Sequence, residues 1–207
     1  ITRGAASSAT PLTSSPNPQI GAHSPPSALG TGIHQHFFTG ATAPLQVNTG
    51  DKLYTYVYID PANAPTEVML QWNDGTSWEH RAYWGANTVA WGTDQSPSLY
   101  NMGTLPTAGQ WVRLEVPASN VGLEGAAVTG MAVTLKGGRA TVDNSGKTSL
   151  VATNDPSQTN SNGGTGSTNT NTSGTNTLSN MSVWFDDALP LGAVADWNVD
   201  TWNSTTT

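Results

Sequence analysis

Cysteine is absent from the 207-residue chain, and charged residues make up only 10% of it. Without cysteine there is no disulfide framework, no thiolate metal site and no cysteine nucleophile. No apolar run approaches the roughly 20 residues that a membrane-spanning helix needs, so we expect no membrane insertion. Other metal ligands, glycans and proteins remain as partners to consider.

Positive charge is also scarce. Seven Lys and Arg stand against 14 Asp and Glu, which gives a net charge of −7, and residues 148–207 contain no Lys or Arg. Binding to nucleic acid or to an anionic membrane depends on clustered cations. The composition therefore predicts no nucleic-acid partner.

Turn-forming residues are plentiful, with 22 Gly and 13 Pro among abundant Ser, Thr and Asn. This composition favours short strands joined by turns. Strand patterns occur at 33–39, 52–59, 66–72, 78–84, 88–91, 110–116, 128–135 and 139–143. About eight short strands at this spacing predict an all-β sandwich, most simply a jelly roll. The low Lys content and the Ser/Thr/Asn richness are typical of a secreted or cell-surface protein of bacteria.

The chain divides into four segments by composition. Residues 1–32 form a Pro/Ser/Ala-rich arm, residues 33–152 the sandwich domain, residues 153–182 a low-complexity linker and residues 183–207 a C-terminal strand segment. Of the 30 linker residues, 25 are Ser, Thr, Asn or Gly. Such a sequence offers little apolar surface to offset the entropy of ordering, so we expect the linker to be flexible.

The C-terminal segment is apolar and too short to make a core of its own. Val183, Trp184, Phe185 and Leu189 lead it, and Trp197 and Trp202 follow. We expect it to dock as a strand, either in its own sandwich or in that of a neighbouring copy.

One face of the predicted sheet has the character of a ligand-binding surface. Alternation places Leu53, Val57 and Leu114 inward and an aromatic and charged row outward. Aromatic rings can stack on the C–H faces of sugars. The glycan-binding candidates on this face are Tyr54, Tyr56, Tyr58, Trp111, Arg113 and Glu115; further candidates, near turns, are Trp78, Trp84 and Trp91. For the tryptophans, packing in the core or between strands is the alternative role.

Metal and catalytic motifs are weak. His34 and His36 lie at i and i+2, the spacing for a shared metal, with His80 as a third ligand; structural histidines are the alternative. Oxygen donors suggest a structural Ca²⁺, although turn formation explains them equally well. These donors are Asp60, Asn63, Asp143, Asp186 and Asp187.

Glu79 and Glu115 could be the acid and base of a glycosidase. Each shares a strand face with an Arg, so we expect ion pairs and do not expect an enzyme.

Several segments resemble a known family. They are residues 67–85 (EVMLQWNDGTSWEHRAYWG), 109–117 (GQWVRLEVP), 121–125 (VGLEG), 34–38 (HQHFF) and 137–141 (GGRAT). Together they resemble the carbohydrate-binding-module-like jelly-roll domains found beside Rhs/YD-repeat and other long bacterial surface proteins. The likeness covers about residues 33–147 and implies a secreted jelly roll without fixing a ligand.

The order of the segments departs from that family. A segment similar to 183–192 (VWFDDALPLG) precedes the His-Gln-His strand in such domains, whereas here it follows the sandwich. The permuted order predicts a non-catalytic structural or adhesive subunit of a surface fibre, in which each tail completes the next unit head-to-tail. The alternative is a stand-alone carbohydrate-binding module whose tail folds back in cis.

Overall fold

In a computed structural model of the protein, residues 27–153, 176–186 and 188–196 are described. Nearly all regular structure in them is β-strand, and the one helical element is a short 3₁₀ turn at Ala118–Val121. The strands are β1 (Gly30–Thr39), β2 (Leu45–Gln46), β3 (Lys52–Ile59), β4 (Glu67–Asn73), β5 (His80–Gly85), β6 (Tyr100–Asn101), β7 (Trp111–Pro117), β8 (Ala127–Val128), β9 (Gly130–Gly138), β10 (Ala140–Thr153), β11 (Asn176–Phe185) and β12 (Val194–Asp196). The predicted all-β sandwich is confirmed, while the jelly-roll connectivity stays a prediction.

Two sheets make the body of the sandwich. One has six strands in the order β12-β1-β9-β4-β5-β6, the other has four in the order β11-β10-β3-β7, and β2 and β8 form a separate pair. All pairings are antiparallel except β5 with β6. No helix among the described residues is long and apolar enough to cross a membrane.

The main core lies between the two sheets, and the predicted inward rows are correct. Val57 is 0% exposed and Leu114 3% exposed, and both belong to one cluster with Leu70 and Trp72 of the six-stranded sheet. A smaller cluster covers the outer side of the six-stranded sheet, where Val89 and Leu99 from the loop after β5 pack on Met69 and Tyr83.

Three predicted elements differ most from the structure. Residues 88–91 form a loop rather than a strand. Val89 is held in place by packing in the smaller cluster and not by hydrogen bonds to a neighbouring strand. The predicted strand 139–143 extends to Thr153. Its extension pairs with β11, which begins at Asn176, inside the predicted linker. The Ser/Thr/Asn-rich sequence there lacks the alternation of apolar and polar residues that predicts a strand. Backbone hydrogen bonding to a neighbouring strand does not require that alternation.

The turn from β9 to β10 crosses from one sheet to the other. Gly138 has φ +64°, and a Cβ there would lie 2.4 Å from the backbone nitrogen of Pro65, so only glycine fits. The next residue, Arg139, is buried and donates to the Asp60 carboxylate at 2.6 Å. This ion pair ties the sheet crossing to the turn after β3.

We predict that Asp60→Asn lowers the free energy of unfolding by about 3–5 kcal/mol, because it leaves the Arg139 guanidinium buried without its counter-charge. Urea denaturation measures the loss. Lys52→Gln is the matched control, since Lys52 and Glu115 form an exposed pair at 3.7 Å that contributes about 0–1 kcal/mol. Equal losses in the two variants would contradict the assignment of the buried pair as a fold determinant.

Candidate functional site

The C-terminal strands add an edge to both sheets. β11 pairs with Ser145–Thr153 of β10 in the four-stranded sheet, and β12 pairs with Phe37–Thr39 of β1 in the six-stranded sheet. We refer to the described residues 176–196, without residue 187, as the tail. Within this single chain the tail therefore completes its own sandwich and closes one side of it.

An aromatic cluster anchors the tail. The Phe38 ring lies 5.1 Å from the Trp184 ring and 5.0 Å from the Phe185 ring, in both cases edge to face. The indole N–H of Trp184 donates to the Ala43 carbonyl oxygen at 3.0 Å. Trp184, Phe185 and Leu189 all pack against the main core, whereas Val183 is 46% exposed. Three of the four predicted assembly residues thus supply packing, and Val183 supplies backbone pairing.

The turn between β11 and β12 is fixed to the loop after β1. The Thr42 amide donates to the Leu191 carbonyl oxygen at 2.8 Å, and its hydroxyl donates to the same oxygen at 3.0 Å. Gly192 has φ +79°, and a Cβ there would lie 2.6 Å from the Thr42 side chain. The tail is consequently held at three places: the β10 edge, the Phe38 cluster and Thr42.

Close packing of β11 on β10 depends on a glycine in the middle of β10. A Cβ at Gly146 would lie 2.0 Å from the Ser182 carbonyl oxygen, a distance that no real structure tolerates. The pairing shifts register between Ser145 and Gly146, and a second irregularity places Asn144, with φ +39°, in a bulge opposite β3. Nothing in the strand pattern distinguished Gly146 from the other glycines.

Gly146→Ala should displace β11 and lower the free energy of unfolding by about 1–3 kcal/mol, the usual cost of overpacking. The matched control is Gly32→Ala, because a Cβ at Gly32 meets nothing within 4 Å. Thermal unfolding and hydrogen exchange of residues 176–185 test this. The idea fails if the two variants melt alike and β11 keeps its protection.

The outer face of the four-stranded sheet carries most of the predicted glycan-binding candidates. Tyr54 is only 1% exposed, since the Arg113 guanidinium covers its ring at 4.1 Å and its hydroxyl donates to Asn144 Oδ1 at 3.0 Å. Burial raises the pKa of Tyr54. Arg113 in turn contacts Glu115 at 2.9 Å. Tyr54 is therefore a packing residue, and its predicted place on an accessible face was wrong.

The other members of this face are half-buried. The Tyr58 and Trp111 rings lie 5.7 Å apart, edge to face, at the start of β7, and Tyr56 lies one register position further along the same row. Tyr58 and Trp111 form an aromatic platform on this face, whereas the Tyr56 ring lies 6.1 Å from the Tyr54 ring. The role of this face in glycan binding stays a prediction.

The remaining tryptophans are spread over other parts of the fold. Trp84 is buried in the main core, Trp91 packs against the smaller cluster, and Trp78 contacts Phe37 at 6.1 Å. These three tryptophans, predicted as glycan contacts near turns, lie away from the tyrosine face because β5 belongs to the opposite sheet.

The metal candidates lie in different parts of the fold. Asp60 and Asn63 bond to each other at 3.0 Å within the Arg139 corner. Asp143 of β10 and Asp186 after β11 line one cavity together with His36, and Asp187 lies outside the described residues. His34 and His36 face the core from β1, whereas His80 lies on β5 and contacts the Val121 carbonyl oxygen at 2.7 Å and Asp74 at 3.3 Å. Among the described residues no three His, Asp or Glu side chains form a potential metal cluster.

Burial decides the charge state of the two histidines on β1. It lowers the pKa of His34, and burial together with the neighbouring His34 lowers the pKa of His36. Both imidazoles are thus neutral at pH 7.

Glu79 and Glu115, the candidate acid and base, lie on opposite sides of the sandwich, beside β5 and on β7. Glu79 makes a bidentate contact to Arg81 at 2.8 and 2.9 Å beside β5, and Glu115 contacts Arg113 on β7. The Arg81 guanidinium lowers the pKa of Glu79. Their predicted role as ion-pair members fits both sites.

Glu67 is a buried acid whose role the sequence did not predict. Glu67 is 0% exposed, and its Oε2 accepts bonds from the Thr88 amide at 2.7 Å, the Thr88 hydroxyl at 2.9 Å and the Val89 amide at 2.8 Å. A carboxylate that satisfies loop amides in this way holds residues 88–89 against the sheet. Its position at the start of a strand was the only available signal.

Comparisons with known proteins add no assignment. No family model, no curated protein and no solved structure matches the chain.

Proposed function

We propose that the protein is a non-catalytic, extracellular structural or adhesive β-sandwich subunit of a bacterial surface, whose tail can be exchanged with the next unit to assemble units head-to-tail. The observation that carries the proposal is that the tail supplies an edge strand to both sheets. A unit without its tail would expose the backbone of β10 and β1 and the Phe38 cluster, and such open edges recruit strands.

The connection to the tail supports exchange. Thr153 and Asn176 are Cα partners, so the chain needs only a short hairpin between them, yet residues 154–175 intervene. Twenty-two residues can extend over roughly 75 Å. This excess length would let the same tail reach the identical acceptor of a neighbouring copy.

Concentration sets the balance between the closed monomer and the exchanged form. A tail tethered by a connection of 22 residues meets its own acceptor at an effective concentration on the order of millimolar. Isolated units therefore stay closed at micromolar concentration, and exchange dominates where units are crowded on a surface or fused in tandem. Because each unit gives and receives, the contact is heterologous and the product is linear.

A split cysteine pair tests exchange in a protein that has no cysteine of its own. Thr39 and Val194 are exposed register partners. One chain with Thr39→Cys is mixed with another carrying Val194→Cys, and only an exchanged tail brings the two thiols together. We expect a mixed disulfide dimer at millimolar concentration and little at micromolar concentration, measured by non-reducing mass spectrometry.

Two controls frame that experiment. Both cysteines in one chain should give a monomeric intrachain disulfide. Glu124→Cys mixed with Val194→Cys reports random thiol collision, since Glu124 is exposed and lies outside the β1–β12 pairing. Tail exchange would be excluded if, at every concentration, the mixed dimer were no more abundant than in the collision control.

The aromatic platform favours a second candidate, a carbohydrate-binding module with the tail in cis. Partly exposed rings on the outer face of a sheet suit stacking against sugars. Trp111→Ala should then weaken retention of the protein in gels containing soluble polysaccharides at least tenfold in apparent Kd. Tyr100→Ala is the control, because Tyr100 is a partly buried ring on β6 of the other sheet and is not a glycan-binding candidate. Identical mobility of all three proteins across a panel of neutral and acidic glycans would remove this candidate.

A further inference from the structure

Among the described residues, all but one of the strands at the ends of the sheets are short or carry charges. β2, β6 and β8 have two residues each and β12 has three, so none of them offers a long row of backbone groups. β7, at one edge of the four-stranded sheet, carries Arg113 and Glu115 and ends at Pro117. Charges and prolines of this kind keep other strands from adding to a sheet edge.

The exception is β11. It runs for 10 residues along the other edge of the same sheet, and no strand within residues 27–153, 176–186 and 188–196 pairs with its outer side. Its sequence, NTLSNMSVWF, contains no charged residue, no proline and no glycine. Every second residue of such a strand directs its amide and carbonyl groups to the open side, where a further strand can pair with them.

An apolar patch lies beside this open edge. Leu150 is 64% exposed, Met181 48% and Val183 46%. The register between β10 and β11 places these three side chains on the same face of the sheet. It is the outer face, because the Arg113 guanidinium contacts the Met181 sulfur there at 3.7 Å. Apolar side chains clustered in solvent beside an open edge indicate a contact surface.

We propose that β11 pairs antiparallel with β11 of a second copy of this chain across a two-fold axis. The pairing joins two four-stranded sheets into one eight-stranded sheet. Centred on Ser182, it places Met181 of each copy opposite Val183 of the other. The apolar patches of the two copies then cover each other as cross-strand pairs.

The charge pattern favours a second copy over a charged partner. The chain has a net charge of −7, but β11 is neutral, so it offers nothing that would select a basic or an acidic peptide. Antiparallel pairing about Ser182 also separates Asp186, the acid that follows the strand, from its equivalent. The two carboxylates lie eight positions apart along the strand direction, roughly 27 Å, which is beyond the screening length at physiological ionic strength.

This contact differs from tail exchange. Exchange is heterologous and produces a line of units, whereas the β11 contact is isologous and closes after two copies. The open edge is present whether β11 belongs to the same chain or to a neighbour, because β10 is its other partner in both cases. In the proposed fibre the contact would join two lines of units side by side.

Sedimentation of a chain whose tail is locked in cis tests the contact. The intrachain disulfide of Thr39→Cys with Val194→Cys prevents exchange and leaves the outer edge of β11 free to pair. The sedimentation coefficient should rise from the monomer value towards that of a dimer between about 10 µM and 1 mM, as expected for a small and transient interface. A locked chain that stays monomeric throughout this range would overturn the proposal, even if unlocked chains exchange their tails.

A charge placed on the edge should abolish the dimer of the locked chain. Val183→Lys brings a cation against the apolar patch of the second copy, and because Val183 is 46% exposed the variant should keep its Tm. Leu29→Lys is the matched control, since Leu29 is 45% exposed and precedes β1 of the other sheet. Met181→Lys replaces Val183→Lys if that variant does not fold. The contact is refuted by a dimer that persists in a folded edge variant, or by one that is lost equally in the control.

Single cysteines test the register in a chain that has none of its own. Met181→Cys chains are mixed with Val183→Cys chains under mild oxidation. Pairing about Ser182 brings the thiols of unlike chains opposite each other, so the mixed disulfide should exceed both like-chain disulfides in non-reducing mass spectrometry. An excess of either like-chain disulfide would indicate parallel or shifted strands and overturn the proposed two-fold pairing.

Discussion

The unpaired edges of the two sheets are the constraint on which the rest of this structure depends. β10 runs for 14 residues, and β3 pairs with it only as far as Thr148. On its other side β10 would expose a long row of amides and carbonyls if β11 were absent. The tail pairs with the edges of both sheets, since β11 pairs with β10 and β12 pairs with β1.

Other features of the fold bring those two edges close enough for one segment to serve both. The Gly137–Gly138 turn crosses between the sheets, and the Arg139–Asp60 pair fixes the crossing on the turn after β3. Lys147 on β10 donates to Asp51 at 2.7 Å, which ties the middle of the same strand to the start of β3. Burial opposes ionisation of Asp51, but bonds from Lys147 and the Asn48 amide lower its pKa below the usual value. Buried ion pairs of this kind fix geometry more than they add net stability.

Periodicity and turn chemistry predicted much of this fold. Strand β3 was predicted with its observed bounds, and alternation placed Val57 and Leu114 in the core. Features that arise from long-range contacts were not predictable. The burial of Tyr54 depends on Arg113 from another strand, β11 is a strand because of β10, and Glu67 is buried because a distant loop supplies its hydrogen-bond donors. None of these leaves a local pattern in the sequence.

The antiparallel pairing of β12 with β1 also has a mechanical consequence. The leading end of β1 and the trailing end of β12 lie at the same end of their ladder, so a pulling force applied at Ser27 and Asp196 opens the bonds one pair at a time instead of shearing them together. β11 would peel from β10 in the same manner, starting at Phe185. β12 pairs with β1 at three positions, whereas β1 pairs with β9 at seven, so β12 is released before β1. Release of residues 154–196 would lengthen the chain by up to roughly 150 Å. Under tension the tail therefore begins to extend the protein before the sandwich itself opens.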